Sequence, residues 1–161
     1  MKHRNLWLIL TLLASLAVAG LIFFFSAQKA AVSDVTSAGI VERVLHALFR
    51  HFEEMPADTQ ASLRDAVTFA VRKLAHFSLF GLLGFCLMAH LWVRREGKPE
   101  RPTALWAWGC SALYAVSDEL HQMFVDGRSA ELRDVGIDSA GVLCGILFMW
   151  LLLRLVSRRR R

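Results

Sequence analysis

Cysteine is scarce in this chain, with three in 161 residues: Cys86, Cys110 and Cys144. Each falls in an apolar stretch and no two have the spacing of a metal-binding pair, so neither a disulfide framework nor a cysteine metal site organises the fold. They read as small packing residues. Internal repeats and low-complexity linkers are also missing. Charge is missing on a larger scale. "LWLILTLLASLAVAGLIFFF", from Leu6 to Phe25, carries none over 20 residues. At about 1.5 Å rise per residue it matches a hydrocarbon core of roughly 30 Å. With 55% hydrophobic residues overall, the chain is too apolar for a typical soluble domain.

What is present follows the same pattern. "LAHFSLFGLLGFCLMAHLWV" (Leu74–Val93) has only histidines for polarity, and "TALWAWGCSALYAVS" and "AGVLCGILFMWLLLRLV" are shorter apolar runs that turn polar at one end. The expected fold is an all-α integral membrane protein forming a single domain, with four transmembrane helices at about 6–25, 72–93, 103–122 and 137–156. Lys2, His3 and Arg4 before an "AVA" sequence resemble a signal peptide, but the apolar run continues past the length of a signal h-region, so the first span is expected to stay. Between the first two spans, Ile40, Val41, Val44, Leu45, Leu48, Phe49 and Phe52 recur at helical spacing opposite Glu42, Arg43, Arg50 and Glu53. They predict an amphipathic helix on the outer membrane surface or against the bundle, ended by Pro56 and followed by a helix that begins near Asp58 or Thr59 and runs into span two. Trp7, Trp92, Trp106, Trp108 and Trp150 near helix ends fit an interfacial belt.

Charge decides the expected orientation, because Lys and Arg accumulate on the cytoplasmic side. With the N-terminus inside, the inner segments hold 11 basic residues against 2 acidic ones and the outer segments 8 against 12. Both termini are therefore expected in the cytoplasm of a bacterial inner membrane. The basic tail "RLVSRRRR" would face anionic head groups rather than nucleic acid.

In this topology the remaining polar residues meet at one depth. Span two enters from outside with Arg72, Lys73 and His76, span three leaves with Ser117, Asp118, Glu119, His121 and Gln122, and span four returns with Asp134 and Asp138. The i, i+3 and i+4 spacings let each helix turn a polar face to a shared interior. Gly81, Gly84, Gly141 and Gly145 would let the backbones approach. Ionisable residues at such depth default to function. A phosphate ester needs cations for its oxygens, a base or nucleophile, and a carboxylate to orient that base. Arg72, Lys73 and Arg128 supply the first, His121 the second with His76 as its alternate, and Asp118 or Asp138 the third. A divalent ion on Asp118, Glu119, His121 and Asp138 is the variant reading, but E-L-H is not an established ligand spacing and neither H-E-x-x-H nor H-x-x-E-H occurs, so no cofactor is expected.

"FFFSAQ", "RKLAHFSLFGLLG" and "SDELHQMFVDGRSAELRDVGIDSAGVLCG" resemble, in that order, the motifs of the VanZ-like family of small bacterial membrane proteins. The resemblance covers about residues 23–150. It implies an envelope protein whose family namesake is associated with low-level resistance to the glycopeptide teicoplanin, and whose relatives have been proposed to act on lipid head groups. Carried over by motif, the expected catalytic residues are His121, Asp118, Glu119, His76 and Asp138, and the expected substrate-binding residues Arg72, Lys73, Arg128, Gln122, Ser117 and Asp134. Ala27 stands where relatives carry Ser, so Ser26 and Gln28 are left out of the expected site. The expected partner is a membrane lipid, a phospholipid or polyprenyl-linked substrate. The function classes that stay open are a head-group phosphoesterase or transferase, a non-enzymatic lipid, drug or peptide binder or lipid transporter, and a plain scaffold.

Overall fold

The computed structural model describes residues 2–96 and 101–159; Lys98, Glu100 and the last two arginines of the basic tail lie outside them. The chain forms helices α1 (Lys2–Ser26), α2 (Ala30–Leu48), α3 (Ala57–Arg94), α4 (Arg101–Gln122) and α5 (Leu132–Arg159), with a short 3-10 turn at Phe52–Glu54.

In α1 only Ser15, Val18, Ile22 and Ser26 are buried, a stripe one residue wide at i, i+3, i+7 and i+11. Leu6, Trp7, Leu13, Leu16, Phe23 and Phe24 on its other faces are exposed. A helix that is apolar all round but buried on one stripe suits a hydrocarbon solvent. Three of the described helices are long and apolar enough to cross a membrane: α1, α3 and α5.

The remaining expected span, 103–122, falls outside that set. α4 is absent from the set because its inward stripe is built from polar residues. Thr103, Ser111, Asp118, Glu119 and Gln122 are buried there together with Ala107 and Ala115, while Leu105, Trp106, Leu113, Val116 and Leu120 face outward. Half of this helix is as apolar as its neighbours and the other half lines the bundle.

Side-chain pairs fix the directions. Lys73 pairs with Asp134, and His76 lies beside Asp138. The Phe85 and Phe148 rings are 6.0 Å apart. Both positions advance together, so α3 and α5 run parallel. Phe80 and Tyr114 rings also lie 6.0 Å apart, and α3 meets α4 in the opposite sense. The Tyr114 hydroxyl donates to the Ala19 carbonyl at 2.7 Å, and Thr11 meets His90 at 3.1 Å, which sets α1 parallel to α4 and antiparallel to α3. The interior holds Val18, Ile22, Phe80, Leu83, Met88, Ala107, Ala115, Val142 and Ile146.

The close α3–α5 approach depends on glycine. A Cβ added to Gly141 would overlap the Phe77 carbonyl oxygen, and one added to Gly145 would overlap that of Gly81. This is the small-residue packing the G-x-x-x-G spacing predicts.

The helix expected to begin near Asp58 or Thr59 is one continuous element with the second apolar run. α3 has 38 residues and so extends about 57 Å. Its first turns carry Leu63, Val67 and Val71, which pack on Val41, Leu45 and Phe52. The helix between spans one and two ends at Leu48, before Phe49, Phe52 and Pro56; Val41 and Leu45 are buried against α3, whereas Ile40 and Leu48 are exposed. Of the two expected placements, outer membrane surface or bundle, the helix takes the second and leaves some of its apolar side chains uncovered.

Candidate functional site

α1 ends at Ser26, α4 ends at Gln122 and α5 begins at Leu132, all beside residues 72–76 of α3. At this level the chain closes a cavity of about 140 Å³ lined by Phe69, Arg72, Lys73, His76, Glu119, Gln122, Gly127, Arg128, Ser129, Glu131, Asp134, Ile137 and Asp138. That is below the roughly 300 Å³ at which drug-sized ligands are usually housed, so the space suits only a small polar fragment.

Every cation in the lining has a protein partner. Arg72 donates to Asp34 at 3.0 Å. Lys73 pairs with Asp134 and stands over the Phe69 ring at 5.2 Å. Arg128 donates to the carbonyls of Gln28 at 3.2 Å and Phe25 at 3.3 Å, and to Gln122 at 3.4 Å. It therefore caps the C-terminal end of α1 and the residues just past it, where a cation complements the helix dipole. Burial, then the nearby Arg72, lowers the affinity of its guanidinium for a proton. The loop that presents Arg128 turns at Gly127, whose φ of 76° is left-handed. It is tied down on the outside by Lys29, which donates to Asp126 at 2.7 Å and holds that carboxyl below its usual range.

The carboxylates outnumber the cations. Glu119, Glu131, Asp134 and Asp138 line the cavity against Arg72, Lys73 and Arg128, and Asp118 sits immediately behind. Glu119 accepts from the Glu131 backbone N–H at 2.9 Å. Asp118 accepts from Ser26 Oγ at 2.8 Å and from Gln122 Nε2 at 3.0 Å. Asp134 Oδ1 and Asp138 Oδ2 are buried without a hydrogen-bond partner.

The structure thus brings together Arg72, Lys73, His76, Asp118, Glu119, Gln122, Arg128, Asp134 and Asp138. It does not bring in Ser117 or His121. Ser117 is exposed and donates to the Tyr114 carbonyl at 2.7 Å. His121, expected as the principal base, turns away from the cavity and stacks on Phe23 of α1 with ring centroids 4.8 Å apart; its Nε2 is buried without a partner. His76 is the histidine in the lining. Sequence reasoning missed Ser26, Gln28 and Asp34. The first two stand in the quoted FFFSAQ motif, which was the available signal; Asp34 has no spacing relation to Arg72 that would mark it.

The fold and the site together define a helical membrane protein whose bundle closes around a buried, charge-rich pocket at one end. The chain belongs to the VanZ/LLP1 family, whose pattern it matches over residues 10–154. No curated protein and no solved structure matches it.

Proposed function

We propose that this chain is a bacterial inner-membrane enzyme that binds the phosphate-containing head group of an envelope lipid in the pocket and cleaves or transfers it. In this reading α4 is a fourth crossing, because the parallel run of α3 and α5 requires a helix that returns the chain between them. The termini are cytoplasmic, by the inner excess of basic residues, and the pocket faces outward. The observation that carries the proposal is the position and content of the cavity. Three cations, His76 and Glu119 share a head-group-sized space at the level where α1 and α4 end, which is where a lipid presents its phosphate. Exposed Met123, Phe124 and Leu132 on the adjoining loop suit contact with acyl chains.

Lys73, Arg72 and Arg128 would stabilise the charge growing on the phosphoryl oxygens. In the hydrolytic form, water adds to phosphorus as the P–O ester bond breaks. The proton given up by water is taken by a lining base, Glu119 or His76, and returned to the departing alcohol. Teicoplanin itself is too large for the cavity, so any effect on glycopeptide resistance would follow from an altered envelope lipid.

In a second reading the chain binds the head group without turnover; in either, the phosphate must compete with the protein groups that already engage the lining cations. Mass-spectrometric head-group profiling of membranes with and without the protein tests both readings. An enzyme shifts the profile, Glu119→Gln lowers the shift by about 10² or more, and His121→Gln leaves it within a few-fold. A profile unchanged by the wild-type protein rules out turnover, and loss of the shift only in His121→Gln returns the chemistry to the α1–α4 seam.

A further inference from the structure

Behind the lipid-facing cavity, three helices each aim one metal-competent side chain at a common point. Among the described residues His76 of α3, Asp118 of α4 and Asp138 of α5 offer ligand atoms that all lie within 4.8 Å of one another. We propose that they bind a divalent transition-metal cation of the zinc or manganese class. Mixed imidazole and carboxylate donors suit such ions, whereas Mg²⁺ and Ca²⁺ favour oxygen-only sets.

Burial and spacing carry the inference. Asp118 and Asp138 are 3% and 1% exposed, and the nearby cations are committed elsewhere: Lys73 to Asp134, and Arg128 to Gln122 and two carbonyls. Two carboxylates taken out of water in one place need a compensating cation or a proton. Asp138 Oδ2 has no hydrogen-bond partner and faces His76 Nδ1 at 3.9 Å. That gap is too long for a hydrogen bond. Donors each about 2.0–2.2 Å from one ion stand roughly 3–4 Å apart, so it is a fitting gap for two ligands sharing a metal. Ser26 from α1 and Gln122 both donate to Asp118 Oδ2, the outer-shell support that aims metal-ligating carboxylates. Ser26 is thereby a positioning residue, and all four long helices contribute.

The ion would offset the carboxylate excess that otherwise opposes a phosphate in the adjoining cavity. It would also occupy the His76 lone pair, which leaves proton transfer to Glu119. Its binding is read without any lipid, so this site and the head-group reading can fail separately.

The test uses the full chain in detergent micelles, stripped with a chelator and titrated with Zn²⁺, Mn²⁺, Mg²⁺ or Ca²⁺ by calorimetry, with elemental analysis after desalting. One Zn²⁺ or Mn²⁺ per chain is expected. Asp138→Asn and His76→Ala should each weaken binding at least tenfold, Ser26→Ala by about 10- to 100-fold, and His51→Ala not at all. Folding is followed through the melting temperature: the ion should raise that of wild type, as any ligand specific for the folded state does. Asp138→Asn, which relieves the repulsion between carboxylates, should melt no lower than metal-free wild type and show no rise. No stoichiometric ion with wild type, equal binding by Asp138→Asn, or binding of Mg²⁺ or Ca²⁺ alone would overturn the proposal.

Discussion

Replacing Gly145 with alanine adds a single methyl group at the point where α3 and α5 are closest. Its Cβ would overlap the Gly81 carbonyl oxygen, and the next obstacles are the Gly81 carbonyl carbon and Cα. These are backbone atoms, so no side chain can rotate aside and the helices must separate. Overpacking typically costs about 1–3 kcal/mol, and an obstacle of this kind belongs at the upper end. About 3 kcal/mol is roughly a hundredfold in the folded-to-unfolded ratio. The damage should reach the site as well, because the same two helices carry the Lys73–Asp134 pair and the His76–Asp138 approach. Gly109→Ala is the control: nothing lies within 4 Å of its added Cβ, and alanine favours a helix over glycine by up to about 1 kcal/mol. Unfolding of the purified variants in mixed micelles, followed by circular dichroism, measures both. If Gly145→Ala unfolds at the same denaturant fraction as Gly109→Ala, the close α3–α5 contact is not present in the folded protein.

Two further expectations follow from the loop and the charge pattern. Arg128→Ala removes a charged donor from the Phe25 and Gln28 carbonyls at the end of α1 and from Gln122. Since hydrogen bonds to charged groups are worth about 1.5–3 kcal/mol and these are long, a loss near 2–3 kcal/mol is expected in the same unfolding assay. Arg128→Lys should recover only part of it, because a single ammonium cannot reproduce the guanidinium fork, and unchanged stability in both would return Arg128 to the role of a free phosphate clamp. For topology, Ser129→Cys in a background lacking the three native cysteines should react with an impermeant thiol reagent in intact cells, whereas Ser157→Cys should react only after the membrane is opened; the opposite pattern would invert the protein.

The helices were legible where a single solvent dictated the pattern. Leu6–Phe25 is apolar on every side because lipid surrounds most of it, and the structure buries only a thin stripe. α4 resisted that logic. Its outward residues are apolar and its inward residues largely polar, so its average hides both. Around α2 the periodicity marked the apolar residues but left open what they would meet: Val41 and Leu45 dock on α3, one of the two expected placements, while Ile40 and Leu48 stay exposed.

The site shows where spacing stops being informative. Asp118 and Gln122 are four residues apart, about 40° around the helix, and both turn inward; His121, three residues from Asp118, is about 60° to the other side. Either direction is compatible with a shared interior, and only the placement of α1 decides that the imidazole meets Phe23. The same placement brings Ser26 to Asp118, across 92 residues that no periodicity connects. A histidine one turn along α3 from Arg72 has no such ambiguity, because α3 is flanked by α4 and α5 at that level and both present acids there. Among the described residues His76 is therefore the histidine whose position relates the cationic rim to the buried carboxylates.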